Sequence, residues 1–335
     1  MKLFSVMAAA VFACSMLAAS ELLVKDGDKI AFLGDSITAQ GNGNKTSGYV
    51  HLVMEGLKAQ GLKDISAVPA GVSGHKSIQM LARLEKDVIA KKPQWMLLSC
   101  GVNDVWHQFY KKPNGVSLED YKKNITEIVD KAQAAGIKVM LLTSTMITEN
   151  SRDKKNVALK PYNDFLLELA KERNLPVADL NARMLRELRA MGPLPGNRLT
   201  GDGVHMNAMG NVMMASGILE AFGVSPEAVA KLRDEWFARP RMMPIGSTQV
   251  RVSVNEYMKL RRKAAKDKQR LDDIVAKVVR DYIAFPKRRR DPVAGTAAFF
   301  ICFEGGSFVF SGVEVYITRN PNIGRQFFKV FSTHG

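Results

Sequence analysis

Lys29-Ile30-Ala31-Phe32-Leu33-Gly34-Asp35-Ser36-Ile37-Thr38 is an apolar run that stops abruptly on a small, polar turn. A short continuous run of this kind predicts a strand buried on both faces, and the turn delivers a serine hydroxyl to its carboxyl end. Open α/β sheets bind ligands at that edge, so Ser36 is a candidate nucleophile. The tripeptide alone decides little. By average composition Gly-Asp-Ser arises by chance in roughly one chain in ten of this length, and most such serines only cap a turn or helix.

Four further strand-like runs lie at 64–69, 94–100, 137–143 and 176–179, with the first at 28–33. Amphipathic helical stretches at 47–60, 77–90, 118–135, 156–173 and 207–222 alternate with them. Strand and helix in alternation predict an α/β protein whose parallel sheet is covered on both faces, with function gathered in the loops after the strands. After the first strand stands Gly34-Asp35-Ser36 and not a dinucleotide-type glycine loop, which removes the main support for nicotinamide or nucleoside triphosphate binding.

Three of the loops hold what a serine nucleophile lacks. Ala70-Gly71-Val72-Ser73-Gly74-His75 follows the second strand, and Gly74 offers an unhindered backbone N–H to a developing oxyanion. Gly101-Val102-Asn103-Asp104 follows the third, and the Asn103 amide is a second such donor. Gly201-Asp202-Gly203-Val204-His205 puts a carboxylate three residues before an imidazole, so that Asp202 can fix the ring's tautomer while His205 takes the serine proton. Singly, each has a plain structural reading as a turn glycine, a loop cap or a surface pair. Together they sit at successive strand ends and fill each role of acyl transfer once.

These blocks, in this order, resemble those of the SGNH, or GDSL-type, hydrolase superfamily over roughly residues 28 to 222. The resemblance implies a three-layer α/β/α flavodoxin-like fold with Ser36 as nucleophile, His205 as base and Asp202 as its orienter. It further implies an oxyanion hole made by the backbone N–H groups of Ser36 and Gly74 and the Asn103 side chain. Asp35 is then a support for the turn. Neither a metal nor a cofactor is implied, and no Cys/His cluster has zinc spacing. Asn103-Asp104-Val105-Trp106-His107 resembles the branch of secreted carbohydrate esterases that deacetylate xylan or rhamnogalacturonan. Trp106, His75 and His107 are candidate substrate contacts on that reading, Trp106 by stacking on a sugar ring. Lipase, lysophospholipase or thioesterase activity is the alternative within the superfamily, and a non-catalytic glycan- or polyanion-binding protein the alternative outside it. The polar run Lys111-Lys112-Pro113-Asn114-Gly115 gives no sign of an apolar lid.

The ends of the chain are read separately. Residues 1–20 combine Lys2, an apolar stretch and Ala18-Ala19-Ser20, the pattern of a secretory signal, so the expectation is a secreted or periplasmic protein with no transmembrane span after cleavage. Lipid attachment at Cys14 is disfavoured by the bulk of Phe12. The hydrolase domain is placed at 21–240, a basic helical extension at 241–290 and a tail of uncertain structure at 291–335. The net charge of +15 is uneven: residues 241–335 carry 18 Lys and Arg against 8 Asp and Glu. Tyr257, Leu260, Ala264, Leu271, Ile274, Val278 and Tyr282 predict a basic amphipathic helix over 254–283, with an anionic polymer such as pectin as a candidate partner and no sequence-specific nucleic acid. Phe- and Gly-rich 297–311 fits a small hairpin, no fixed structure, or an altered reading frame at the end of the gene. Cys100 lies in an apolar run and reads as core; a bridge to Cys302 is the alternative.

Overall fold

The computed structural model describes residues 22–192, 196–239, 250–252, 262–284, 302–304 and 307–310. Residues 1–21, which include the expected export signal, and most of 291–335 lie outside the described residues. Two compact units make up the chain, Met1–Met243 and Pro244–Gly335.

In the first unit, β1 (Lys29–Gly34), β2 (Ser66–Gly71), β3 (Trp95–Ser99), β4 (Lys138–Leu142) and β5 (Val177–Ala178) form one parallel sheet in the order β2-β1-β3-β4-β5. The central strands are buried along almost their whole length, as continuous apolar runs require. Edge strand β2 is more open and tolerates Pro69, whose missing N–H would break a central ladder. The connecting helices are α1 (Ser36–Gly43), α2 (Tyr49–Ala59), α3 (Ser77–Asp87), α4 (Val102–Trp106), α5 (Leu118–Ala134), α6 (Lys154–Glu172), α7 (Leu180–Met191), α8 (Ala208–Ala221) and α9 (Pro226–Phe237). Helices α2, α7, α8 and α9 pack against one another, as do α3, α5 and α6, giving the two outer layers of an α/β/α sandwich.

The strand order places the reversal of winding between β1 and β3, where adjacent strands send their connections to opposite faces. That is where a crevice opens in such sheets. Two glycines bring the chain close there. A Cβ on Gly34 would lie 2.0 Å from Thr38 Oγ1, and one on Gly71 would lie 2.4 Å from the Ala39 amide nitrogen. Helix α1 therefore starts directly against the ends of β1 and β2, with Ser36 in its first turn.

In the second unit, Ser307–Phe310 pairs antiparallel with Cys302–Glu304 and parallel with Val250–Val252. The single helix expected over 254–283 is not what forms. Among the described residues there are two helical segments, 262–266 and Leu271–Ala284, separated by Lys268 at φ +52°. Gln269 donates its N–H to the Ala264 carbonyl, a left-handed C-terminal closure, and a new helix begins at Leu271. Apolar spacing runs through this break, so periodicity alone misses it. Cys100 is a buried free thiol. Among the described residues no helix is long and apolar enough to cross a membrane.

Candidate active site

Ser36 is presented by a capped helix start. Asp35 accepts the Ile37 N–H at 2.9 Å through its own carboxylate, which leaves the Ser36 amide among the first-turn donors without an intrahelical acceptor. The half-buried Ser36 Oγ lies 2.8 Å from His205 Nε2. On the other side of the ring, His205 Nδ1 lies 2.6 Å from Asp202 Oδ2. Asp202 Oδ1 accepts the backbone N–H groups of Val204 (2.9 Å) and His205 (2.8 Å), so both carboxylate oxygens are engaged. Partial burial acts to raise the Asp202 carboxyl, but the hydrogen bonds from the His205 ring and from these two amides outweigh it and hold the pKa below the usual carboxylate value.

The loops that carry the other two expected donors are joined to each other. Asn103, 3 % exposed in the first turn of α4, donates through Nδ2 to the His75 carbonyl at 3.1 Å. One N–H of that amide is thereby spent on holding the glycine loop, and its second N–H is free to face a ligand. Gly74 sits at φ +78°, and its N–H has no acceptor among the described residues.

Behind this loop lies a residue that the sequence reading passes over. Arg83 of α3 donates Nη1 to the Ala70 carbonyl and Nη2 to the Gly34 carbonyl, both at 2.8 Å, and Nε to His75 Nδ1 at 3.1 Å. Arginine only donates, so His75 must accept at Nδ1 and carry its proton on Nε2. Desolvation and the neighbouring guanidinium both push the His75 pKa down, which keeps the ring neutral. The available signal was an arginine three residues after Met80 and one before Leu84, on the helix face that packs inward.

His107 stacks on Tyr110 with centroids 4.6 Å apart, and Trp106 meets Tyr110 edge-on at 6.3 Å. Trp106 is packed partly on the core, while Tyr110 and Phe109 are exposed. His107 Nδ1 is buried with no partner among the described residues, and its pKa is lowered by desolvation and by Lys76. Lys111-Lys112 next to this cluster is exposed.

Two buried carboxylates underlie the site. Asp104 Oδ1 takes both the N–H (3.0 Å) and the hydroxyl (2.6 Å) of Ser77, tying α4 to α3. Desolvation raises its pKa against the pull of those bonds. Asp35 is pushed up to about 6, first by desolvation and then by repulsion from Asp104, against the Ile37 hydrogen bond and the attraction of His205. The folded protein thus holds this proton more tightly than the unfolded chain, whose carboxyl ionises near 3.8. Stability is lost as pH rises from about 4 to about 6 and stays reduced above that. Asn in place of Asp35 keeps an acceptor for Ile37 without the charge. Asp35→Asn should therefore exceed wild type in urea-denaturation stability at pH 8 by up to about 3 kcal/mol, with the gap closing by pH 4. An equal gap at both pH values would exclude a buried ionised Asp35 as its cause.

A parallel α/β/α sandwich that brings a serine, a histidine and an aspartate into line at the end of β1 has the arrangement of a serine hydrolase. The chain belongs to the GDSL-like Lipase/Acylhydrolase family, whose profile matches residues 32–212. An acetylxylan esterase from Geobacillus stearothermophilus is 30 % identical over 213 residues, covering 60 % of this chain and 96 % of that one. The crystal structure of Axe2, an acetylxylan esterase from the same organism, superposes with a TM-score of 0.55 at 28 % identity, covering 61 % of this chain and 98 % of its own. The uncharacterized lipoprotein YqeF of Bacillus subtilis is 25 % identical over 175 residues, 45 % of this chain and 70 % of that one. These similarities make the chain an esterase with the SGNH hydrolase fold.

Proposed function

We propose that this esterase removes acetyl groups from a carbohydrate polymer by a Ser36–His205–Asp202 acyl-enzyme mechanism. The observation that carries the reading is the unbroken line of contacts from Asp202 through His205 to Ser36 Oγ. His205 Nε2 takes the Ser36 proton as Oγ attacks the ester carbonyl, and the tetrahedral oxyanion is held by the Ser36 and Gly74 N–H groups and the second Asn103 N–H. The imidazolium returns that proton to the departing sugar oxygen, leaving acetyl-Ser36. Water, deprotonated by His205, then releases acetate and restores the serine. Axe2 supports the assignment, since its catalytic mutants replace a serine, an aspartate and a histidine three residues after that aspartate.

The carbohydrate side of the proposal rests on the acetylxylan esterase relatives and on the half-buried Trp106 and exposed Tyr110 next to the asparagine block, aromatic surface that suits a sugar ring. A polymer substrate also fits the export expected from residues 1–20. Hydrolysis of 4-nitrophenyl acetate should exceed that of the octanoate ester, and acetate should be released from acetylated xylan. Preference for octanoate with no release from the polymer would overturn the carbohydrate reading in favour of a lipid-ester hydrolase.

A further inference from the structure

The Gly201–His205 segment closes on itself through the Asp202 carboxylate and the Gly201 N–H, but its two glycines give it little side chain with which to pack against the rest of the protein. Gly201 has open space where a Cβ would stand, and Gly203 adopts φ +96°. Something outside the segment must fix where its carboxylate and imidazole point. We propose that Glu149, which touches none of the reacting atoms, is the positioning residue that does so. This inference rests on the triad reading above.

Glu149 lies in the loop after β4, and its side chain is only 6 % exposed. Its Oε1 accepts the N–H of Leu199 (2.7 Å), the N–H of Thr200 (2.8 Å) and the hydroxyl of Thr200 (2.8 Å). Its Oε2 accepts the N–H of Arg198 at 2.7 Å and faces the Arg198 Nε at 3.4 Å. Three successive backbone amides therefore converge on one carboxylate, whose acceptor sites they and the threonine hydroxyl fill. Only an acceptor-only group suits that concavity.

From there the hold passes directly to the reacting residues. The Thr200 oxygen that donates to Glu149 accepts the Gly203 N–H at 3.1 Å. The Gly203 carbonyl accepts the Thr148 N–H at 2.7 Å, from the residue just before Glu149. Thr148 occupies φ +71°, a conformation that a β-branched residue adopts only under constraint. The constraint is visible in Asn156 of α6, whose Oδ1 accepts the Ile147 N–H at 2.7 Å and whose Nδ2 donates to the Ile147 and Asn150 carbonyls at 2.8 Å. Gly201 N–H closes the segment on the His205 carbonyl at 2.8 Å. Helix α6 thus fixes a loop, the loop fixes Glu149, and Glu149 fixes the backbone two residues before Asp202.

The amide of Glu149→Gln would turn an NH₂ group toward at least one of the converging N–H donors. Thr200→Val leaves the carboxylate in place and removes the hydroxyl that relays it to Gly203. Both variants should retain the wild-type near-UV circular dichroism, keep KM for 4-nitrophenyl acetate within about twofold, and lose kcat by up to about a hundredfold, the scale of a small misplacement of catalytic groups. The low-field proton resonance of the His205 Nδ1–H facing Asp202 should shift or vanish. Should Glu149→Gln fail to fold, Thr200→Val gives the same readouts on its own. A lowered Tm with kcat and the low-field resonance unchanged would reduce Glu149 to a merely structural role and overturn the proposal. Ser36→Ala run alongside separates the two ideas: full activity in that variant overturns the triad reading, whereas the resonance reports on Glu149 without turnover.

Discussion

Ser36→Ala should fold as the wild type does and lose about a millionfold in kcat on 4-nitrophenyl acetate, the scale seen when a serine hydrolase loses its nucleophile. The alanine removes only the Oγ that lies 2.8 Å from His205 Nε2. The helix start should survive, because its cap comes from Asp35 and not from Ser36. Acetyl transfer then has no oxygen on which to form the intermediate, and His205 can act only on water placed by chance. Some rate above the uncatalysed reaction should remain, because the substitution leaves untouched the Gly74 and Asn103 donors proposed for the oxyanion hole. A fluorophosphonate should phosphonylate Ser36 Oγ with loss of fluoride, adding the reagent's mass less that of HF to the wild-type peptide containing Ser36 and to no peptide of the variant. Labelling elsewhere, or a variant as active as wild type, would move the nucleophile to another residue.

The fold was legible because a parallel sheet writes itself as continuous apolar runs. All five runs found in the sequence correspond to strands to within two residues at each end. Helix α1 was not legible: Ser-Ile-Thr-Ala-Gln-Gly-Asn-Gly has two glycines and no apolar stripe, and its helix depends on the Asp35 cap and on packing against β1 and β2. Helix α7 was readable in principle, with Asp179 as cap and Leu180, Met184 and Leu188 at a spacing of four, but its arginines hide the pattern. At the site, residues far apart in the chain could be gathered only through their places at strand ends; Ser36 and His205 are 169 positions apart. Arg83 and Glu149 escaped for a different reason. Each acts on backbone groups of distant loops; the one trace Arg83 leaves is an arginine on the inward face of α3, and Glu149 leaves none.

Asp202→Asn should lower kcat by about ten-thousandfold, as the corresponding change does in other triads, and it should be worse than Asp202→Ala. The reason lies in what each oxygen of Asp202 does. If the asparagine keeps its carbonyl on the Val204 and His205 amides, its NH₂ faces His205 Nδ1 and forces the proton onto Nε2, which then donates to Ser36 Oγ and cannot accept from it. If the amide turns over, the NH₂ meets two backbone N–H donors and the loop gives way. Neither orientation leaves a base. Alanine imposes no wrong tautomer, and the Asp202 side chain is 55 % exposed, so solvent has access to the vacated position beside Nδ1. Added formate should therefore restore part of the activity of Asp202→Ala and none of that of Asp202→Asn. Equal rescue of both variants, or asparagine more active than alanine, would mean that Asp202 serves the fold of its loop and does not set the tautomer of His205.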